Sequence, residues 1–400
     1  MEMKNGSALA GLKVLDLGRV IAAPLASSIM ADMGADVIKI EDPGTGDLAR
    51  NMMPKKDGIS TYFVMYNRGQ RGVTLDLKSP KGKEILRKMI ESADVLIENF
   101  RPGVMQRLGF SYEEVEKINP RIIYASISGF GQEGVYAQRA LLDPVAQAIS
   151  GLMSVTGPAG GEQVRCGASI CDILAAQNTV IAILAAIEHR RISGHGQRID
   201  VSLVDSAIFA LASINQIYFT TGKIPQNLGN FFEASAPGNT YPTSDGQKLM
   251  ISAGQATMWP KFARALGHPE WLEMPEFKNV EDRVRNRKIL DPMVAEATSQ
   301  YTKDDLLQRM VDAKIPVGPV MTVADVANDP HFRDTRNMYS DVEHPELGTV
   351  RITNQAIHMS ETNPYVRGCS PLLGQHNEEV YGEYGFSPEE VAQLREDGVI

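Results

Sequence analysis

Short β-branched runs alternate with amphipathic segments through roughly the first 205 residues, a pattern typical of βαβ units around a parallel sheet. One run reads Val-Ile-Lys-Ile almost without interruption, as expected of a strand buried on both faces. The predicted strands are Lys13–Leu17, Asp36–Ile40, Val73–Leu77, Asp94–Glu98, Ile122–Ser128 and Arg198–Leu203. The predicted helices are Ala23–Met33, Lys81–Glu91, a helix opened by the capping box at Ser111–Glu114, Asp172–Arg191 and Leu203–Thr221. The alternation therefore predicts an α/β fold.

The pattern changes after Gly222. Residues 225–245 are rich in Gly, Asn, Pro and Ser, a composition that indicates a linker leading into a second unit. At the end of this region, Ser244-Asp-Gly246 predicts the turn of a β-hairpin. Helices are predicted at Thr257–Leu266, Val280–Thr302 and Lys303–Ala313, and a strand at Gly318–Met321. Beyond residue 335, a strand (Thr349–Thr353) and a helix (Ser387–Glu396) either close the first domain or stand alone, and periodicity does not choose between these two.

Charge and composition narrow the class of protein. Lys and Arg number 40 against 49 Asp and Glu, a net charge of −9, which argues against a nucleic-acid partner. The most apolar helix candidate, Ile173–Ile187, is short and carries Gln177 and Asn178, so no membrane association is expected. Met1–Lys13 lacks the apolar core of a signal peptide, and three cysteines without CxxC spacing suggest neither disulfides nor zinc. We expect a soluble, reduced, cytoplasmic protein.

Two glycine-rich segments are candidate ligand loops. Gly129-Phe-Gly-Gln-Glu-Gly134 has the spacing of a dinucleotide fingerprint, but it does not follow the first strand and no clear helix succeeds it, so an ordinary loop is favoured. Pro43–Asp47 follows the strand that ends near Glu41, at the sheet edge where α/β proteins bind ligands. No phosphate-binding P-loop, zinc-protease motif or nucleophile elbow occurs in the sequence.

Asp172 stands at the start of the longest apolar helix candidate. The simplest role for an aspartate there is to cap the helix, and on spacing alone that interpretation is favoured. The same position in apolar surroundings also suits a carboxylate that attacks a thioester or anhydride carbonyl.

Several segments together resemble the class III CoA-transferases, the family of formyl-CoA transferase and carnitine CoA-transferase. The resemblance covers nearly the whole chain in the right order. It is carried by Gly11–Asp16, Met33–Glu41, Pro43–Asp47 with Arg50, Asn67–Arg71, Leu75–Lys78, Asp94–Gly103, Ser128–Gly134, and Pro371–His376 with Glu378 and Glu379.

The resemblance implies a CoA-transferase in which Asp172 is the nucleophile. Its carboxylate attacks an acyl-CoA to give a mixed anhydride, then carries CoA as an aspartyl thioester, and the acceptor acid finally takes the CoA. CoA thioesters and a small carboxylic acid are the substrates, with no metal or prosthetic group. The implied CoA-binding positions are Arg19, Val20, Ile21, Ala22, Leu75, Lys78, Asn99, Phe100, Arg107 and, near the reacting centre, Asp143, whose simpler interpretation is a turn residue before Pro144.

The chain departs from formyl-CoA transferase at two places. Ile21 replaces a glutamine that helps hold the intermediates in that enzyme, and the tetraglycine loop that covers oxalate is absent, so oxalate is in doubt as the acceptor. The related 2-methylacyl-CoA racemases pair the aspartate with a histidine where this chain has Leu142, which favours transferase over racemase. A non-catalytic CoA-binding protein is a third possibility.

The resemblance also implies an architecture. A Rossmann-like large domain comprises residues 1–205 and 335–400, a smaller α+β domain comprises 222–330, and 206–221 and 331–334 are linkers. Members of the family form interlocked homodimers, so a homodimer is expected.

Overall fold

We describe residues 6–400 from a computed structural model. The amino-terminal segment expected to lack a signal core begins with residues 1–5, which lie outside the described residues. The chain divides into two compact units. The first comprises the residues up to Gly151, Cys166–Ala212 and Pro330–Ile400, and the second comprises Leu152–Arg165 and Ser213–Asp329.

The strands and helices are numbered along the chain. The strands are β1 (Lys13–Asp16), β2 (Asp36–Glu41), β3 (Lys55–Lys56), β4 (Ile59–Ser60), β5 (Arg71–Thr74), β6 (Val95–Glu98), β7 (Ile123–Ser128), β8 (Gln197–Ser202), β9 (Gly238–Pro242), β10 (Lys248–Ser252), β11 (Val317–Pro319), β12 (Tyr339–His344) and β13 (Gly348–Thr353). The helices are α1 (Ala22–Asp32), α2 (Thr61–Tyr66), α3 (Pro80–Glu91), α4 (Val104–Leu108), α5 (Tyr112–Ile118), α6 (Asp143–Ile149), α7 (Ile170–Ser193), α8 (Leu203–Ala210), α9 (Ala212–Thr221), α10 (Trp259–Ala265), α11 (Val280–Arg285), α12 (Arg287–Thr298), α13 (Lys303–Asp312), α14 (Val323–Asn328), α15 (Asn377–Glu383) and α16 (Pro388–Glu396).

A parallel sheet of six strands, in the order β5-β2-β1-β6-β7-β8, forms the centre of the first unit. The predicted α/β class and parallel sheet are confirmed. The chain builds outward from β1 in both directions, so the strand order reverses between β1 and β6. Open α/β sheets bind ligands at the carboxyl ends of the strands beside such a reversal. The topology therefore places a candidate site where β1 and β6 end.

Helices cover both faces of this sheet. One apolar cluster joins Val14, Val37 and Val95 to α1 and α7. The other joins Leu15, Ile38 and Leu96 to α3, α15 and α16. Successive residues of a strand point to opposite faces, so strands covered on both sides are apolar at nearly every position.

The carboxyl-terminal segment packs against the edge strand β5 of the first unit. The side-chain oxygen of Asn377 accepts a 2.9 Å hydrogen bond from the Thr74 N–H. The Tyr381 hydroxyl donates to the Thr74 carbonyl. Arg71 forms ion pairs with Glu379 and Glu383. Periodicity left two arrangements open for the residues beyond 335. In the structure these residues complete the first unit and do not form a separate domain.

The second unit has an antiparallel sheet in the order β11-β10-β9, with the predicted hairpin connecting β9 and β10. Its core packs Trp259 and Trp271 as stacked rings 6.0 Å apart. Residues 152–165, which the sequence pattern assigned to the large domain, belong to this unit. Contacts between distant parts of the chain hold them there, because the Asn227 amide donates to the carbonyls of Pro158 and Gly161 at 2.8 and 3.0 Å.

Two predicted continuous helices are each interrupted. The segment Leu203–Thr221 forms α8 and α9, which separate at Leu211, and the units divide one residue later. That division lies within the predicted linker 206–221, and the division before Pro330 lies beside the predicted linker 331–334. The segment Val280–Thr302 breaks at Asn286, whose side-chain amide donates to the Glu276 carbonyl. The apolar periodicity of the sequence does not reveal such breaks, because the helix on each side of the break keeps its apolar face.

Within residues 6–400, α7 is long and apolar enough to cross a membrane by length and composition alone. Its inward face contributes Cys171, Ala175, Ala176 and Ile183 to the core beneath the sheet. A core helix of a globular unit has the same length and composition, so this property does not indicate a membrane span.

Candidate active site

A cleft of about 700 Å³ opens at the carboxyl ends of the strands in the first unit, beside the reversal of strand order. Of the predicted site residues, Arg107 does not line it: this exposed side chain lies on α4. The predicted residues that line it are Arg19, Val20, Ile21, Ala22, Leu75, Lys78, Asn99, Phe100, Asp143 and Asp172. Asp42 and Thr45 line it as well, which places the Pro43–Asp47 loop at its rim.

The loop between β1 and α1 forms one wall of the cleft. Val20 has a φ of 68°, a left-handed conformation that is strained for a β-branched residue. Its N–H donates to both carboxylate oxygens of Asp47, at 3.0 and 3.2 Å, which holds the strained backbone in place. Just before it, Gly18 has no room for a side chain, because a Cβ there would lie 2.3 Å from the Cβ of Ala23.

A buried lysine supports this loop from below. The Lys39 side chain on β2 is 0% exposed, and its Nζ lies 2.9 Å from Asp47 and 3.8 Å from Asp16. It also donates to the Gly18 carbonyl at 2.6 Å. Burial lowers the pKa of Lys39, but the adjacent carboxylates more than offset that effect, so the net shift is upward and the ammonium stays charged.

The loop after β6 locks onto the same wall. The Asn99 side chain accepts from the Arg19 N–H at 2.7 Å and donates to the Arg19 carbonyl at 2.8 Å. The Arg19 guanidinium lies 4.8 Å from the centre of the Phe100 ring. Beneath it, the Glu98 carboxyl accepts from the Phe100 N–H at 2.8 Å, and burial raises the pKa of Glu98 to about 7. These contacts join the two loops that meet at the reversal of strand order.

Four exposed cations line the cleft: Arg19, Lys78, Arg101 and Arg139. In the described part of the chain, none of them lies within 4.0 Å of a carboxylate as an ion pair. Such a group suits a polyanionic ligand in a protein whose net charge is −9. Sequence reasoning did not identify Arg101 or Arg139, because an isolated arginine in a loop carries no signal of its own.

Asp172 is the third residue of α7, within its first turn. The interpretation of Asp172 as the helix cap is wrong, because Ser169 occupies that position. Among residues 6–400 no donor is hydrogen-bonded to the Asp172 carboxylate, which is half-buried at the cleft. Burial, together with the charge of Asp143, raises the pKa of Asp172 to about 7. A weakly solvated carboxylate of this basicity is suited to nucleophilic attack.

Asp143 performs the capping instead, from a different helix. It is the first residue of α6 and only 5% exposed, so it is more than the surface turn residue that Pro144 suggested. Its Oδ1 accepts from the Cys171 N–H at 2.8 Å, the amide immediately before Asp172. Its Oδ2 accepts from the Gln147 side chain at 2.6 Å. The first turn of α7 is therefore anchored by a residue 28 positions earlier in the chain.

The Gly129–Gly134 segment is a loop after β7, and no helix begins until Asp143. Gly129 lines the cleft, and the Gln132 N–H donates to Asp200 at 2.9 Å. The prediction of an ordinary glycine-rich loop rather than a dinucleotide fingerprint agrees with this arrangement. Within the described residues, no group of three or more His, Cys, Asp and Glu side chains is placed to hold a metal ion.

A protein-family model for CoA-transferase family III matches residues 9–377. A succinyl-CoA–D-citramalate CoA-transferase from Chloroflexus aurantiacus is 33% identical and aligns over 97% of each chain. A formyl-CoA:oxalate CoA-transferase from Streptomyces coelicolor is 35% identical over 99% of this chain and 100% of the relative. Among solved structures, a CaiB/BaiF family protein from Brucella suis has a TM-score of 0.85 at 36% identity, covering 95% of this chain and 100% of that one.

Proposed function

Because the chain belongs to CoA-transferase family III, we propose that Asp172 carries CoA from donor to acceptor through covalent intermediates. The family assignment made from the sequence is confirmed, and acyl-CoA thioesters and carboxylic acids are the substrates of this enzyme class. The observation that carries the proposal is a half-buried carboxyl that lines a cationic cleft, free of hydrogen-bond donors among the described residues and with a pKa raised to about 7 by burial.

In the first half of the proposed reaction, an Asp172 oxygen attacks the thioester carbonyl of the donor. The carbon–sulfur bond breaks, CoA leaves as a thiolate, and a mixed anhydride remains on the enzyme. The thiolate then attacks the aspartyl carbonyl of that anhydride. The bond between the aspartyl carbonyl carbon and the bridging oxygen breaks, the donor departs as a carboxylate with that oxygen, and CoA is held as an aspartyl thioester.

The second half reverses these steps with the acceptor. Its carboxylate attacks the aspartyl thioester, releases the thiolate and forms a second anhydride. Attack of the thiolate on the acceptor acyl carbon completes the new thioester and restores the Asp172 carboxylate. No step needs an oxidant, and each anhydride must be kept from water. Apolar side chains that line the same cleft as Asp172, among them Ile21, Leu141 and Leu203, favour that exclusion.

The cationic residues of the cleft supply charge for the CoA phosphates in this proposal. Arg19, Lys78, Arg101 and Arg139 are exposed and have no carboxylate partner within 4.0 Å in the described chain, so a phosphate displaces no internal ion pair. The chemistry of the acceptor is proposed from the relatives: the names of both curated relatives contain an acid with two carboxyl groups, D-citramalate or oxalate. We therefore favour a dicarboxylic acid as the acceptor.

The test is a matrix of donors and acceptors. The purified enzyme is incubated with succinyl-CoA, formyl-CoA or a longer acyl-CoA, each with mono- and dicarboxylic acids, and the products are identified by mass spectrometry. We expect new acyl-CoA species only when both a donor and an acceptor are present. Hydroxylamine added during turnover should modify the peptide that contains Asp172, and an unmodified peptide would contradict the covalent route.

The racemase alternative finds no support in the cleft. Leu142 occupies the position where a racemase carries a histidine, and its side chain is 72% exposed at the cleft. It has no proton to exchange at an α-carbon. Deuterium incorporation at the α-carbon of a 2-methylacyl-CoA without any acceptor acid would contradict the transferase assignment.

We also propose that the first unit associates as a homodimer. Three packed helices of this unit, α6, α7 and α8, carry exposed apolar side chains, among them Ile149, Ile181 and Phe209, the last 76% exposed. Exposed apolar surface of this kind marks association sites. Light scattering should give a molar mass twice the 43.8 kDa of one chain. The Phe209→Glu variant should have a molar mass closer to that of the monomer. A wild-type protein that is monomeric at micromolar concentration would contradict the dimer.

A further inference from the structure

Gln147 lies on α6, one turn after Asp143, and its side chain is 0% exposed. Both ends of its amide are engaged. Nε2 donates to Asp143 Oδ2 at 2.6 Å and, more weakly, to the Ala168 carbonyl at 3.3 Å. Oε1 accepts from the Cys166 N–H at 2.8 Å. One buried side chain therefore connects α6 to two points of the segment that leads into α7.

These bonds continue to the residue before the nucleophile. The Asp143 oxygen that Gln147 does not contact accepts from the Cys171 N–H at 2.8 Å. The cap residue of α7, Ser169, makes no side-chain capping bond of its own. The first turn of α7 is thus held from α6, by Asp143 directly and by Gln147 through Asp143.

We propose that Gln147 is a positioning residue for Asp172, an inference that rests on the proposed nucleophilic role of Asp172. Its amide fixes the Asp143 carboxylate and residues 166–168 together, and so sets where the Asp172 carboxyl enters the cleft. Gln147 does not line the cleft, so it acts on the reaction only through these neighbours.

An amide is the group that the geometry requires. Asp143 needs a donor on one side and the Cys166 N–H needs an acceptor on the other, and glutamine supplies both at one length. A carboxylate at the same place accepts from Cys166 but repels Asp143. A methionine of similar size makes neither bond.

Gln147→Met is expected to lower kcat by about 100-fold, the usual consequence of misplacing a reacting group by roughly 1 Å. The affinity for CoA, measured by calorimetry, should stay that of the wild type, because the cationic wall of the cleft is untouched. Equal kcat in wild type and variant would overturn the proposal, as would an effect confined to CoA affinity.

Asn119 provides the matched control. Its buried side-chain amide also makes three hydrogen bonds to neighbours in the first unit, with Ile90, Ala93 and Arg121, and it does not line the cleft. Asn119→Leu should lower the melting temperature by a similar amount while kcat is retained. If kcat falls equally in both variants, Gln147 is only structural and the proposal fails.

Gln147→Glu keeps the proposal testable if the methionine variant does not fold. Once protonated, the introduced carboxyl donates to Asp143 and restores the lost contact, whereas its ionised form repels it. The titratable groups that also face this region are Asp172, whose pKa burial raises to about 7, the phenol of Tyr66 and the thiols of Cys166 and Cys171. The variant is therefore compared with wild type at each pH. The ratio of variant to wild-type kcat should rise as the pH falls from about 8 to about 6.

A constant ratio would overturn the role of Gln147. The wild-type enzyme reports separately on the proposed function: if hydroxylamine never traps Asp172 in wild type, the nucleophile assignment fails. If trapping succeeds while Gln147→Met and Gln147→Glu behave as wild type, only the positioning role fails.

Discussion

Replacement of Asp172 by alanine is expected to lower CoA transfer by about 10⁴-fold or more, because no other group in the proposed route forms the covalent bond. Acyl transfer is measured by mass spectrometry of the CoA products at saturating donor and acceptor. The variant should bind CoA normally, since the cations at the cleft come from other elements. It should also be no less stable than wild type at about pH 8, because burial disfavours the ionised Asp172 carboxylate.

Asp205 offers a control in the same structural setting. It is the third residue of α8, as Asp172 is of α7, but it is exposed and does not line the cleft. Asp205→Ala should retain full activity. CoA transfer at the wild-type rate by Asp172→Ala would contradict the proposed nucleophilic role of Asp172. It would favour a non-covalent route or a role in binding alone.

The same carboxyl sets an expected pH dependence. Burial and the charge of Asp143 favour the protonated form of Asp172 and raise its pKa to about 7, so the nucleophilic form is depleted below that pH. The rate of acylation in a single turnover should therefore rise as the pH passes upward through about 7. A rate that is flat between about pH 5 and pH 8 would exclude titration of this group in the acylation step.

Lys39→Met should destabilise the first unit by about 3–5 kcal/mol, because it leaves a buried carboxylate without its counter-charge. The ammonium lies 2.9 Å from Asp47 in a site with no solvent exposure. Since Asp47 holds the strained Val20 backbone at the cleft wall, the variant that remains folded should also bind CoA more weakly. Urea unfolding and calorimetry measure the two effects.

Two further variants serve as controls for Lys39→Met. Lys39→Met combined with Asp47→Asn removes the charges of that pair and keeps an oxygen for the Val20 N–H. Asp16 remains, but burial already raises its pKa, so without Lys39 it can bind a proton, and the double variant should recover much of the lost stability. Lys81→Met removes an exposed lysine whose ion pair is with Glu84 on the same helix, and should change stability little. If the Lys39→Met protein is as stable as Lys81→Met, the buried ion pair makes no net contribution to the free energy of unfolding.

The sequence carries two different kinds of information about the candidate site. The Pro43–Asp47 loop followed from strand position alone, because the carboxyl ends of parallel strands share one edge. Asp172 and the CoA-binding positions came from the family resemblance, since a lone aspartate near a helix start has an ordinary explanation. The sequence does not reveal the roles of Asp47 and Gln147, although Asp47 lies in the Pro43–Asp47 loop that strand position predicts. Nothing in a residue name indicates a bond to Val20 or to Asp143.

The sequence around Lys39 predicts a buried strand but does not identify the carboxylate that pairs with the lysine. Val-Ile-Lys-Ile correctly predicts a doubly covered strand, and β2 is buried from Val37 to Glu41. A lysine in such a strand requires a counter-charge, because an unpaired buried ammonium is costly. Its partner Asp47 is eight residues away, and Asp16 belongs to a different strand. Only the parallel pairing of β1 with β2 brings Asp16 there.

The order and type of the sheet-forming segments were determined by the chain itself, because the apolar alternation and the capping residues are local properties of consecutive positions. Which strand lies beside which, and hence where the order reverses, was decided only by the tertiary structure. The same holds for Asp172, the proposed nucleophile. The anchor of its helical turn is Asp143, an acceptor from another helix that local spacing does not reveal. Contacts between distant segments depend on how whole faces are buried, and that is a property of the folded chain.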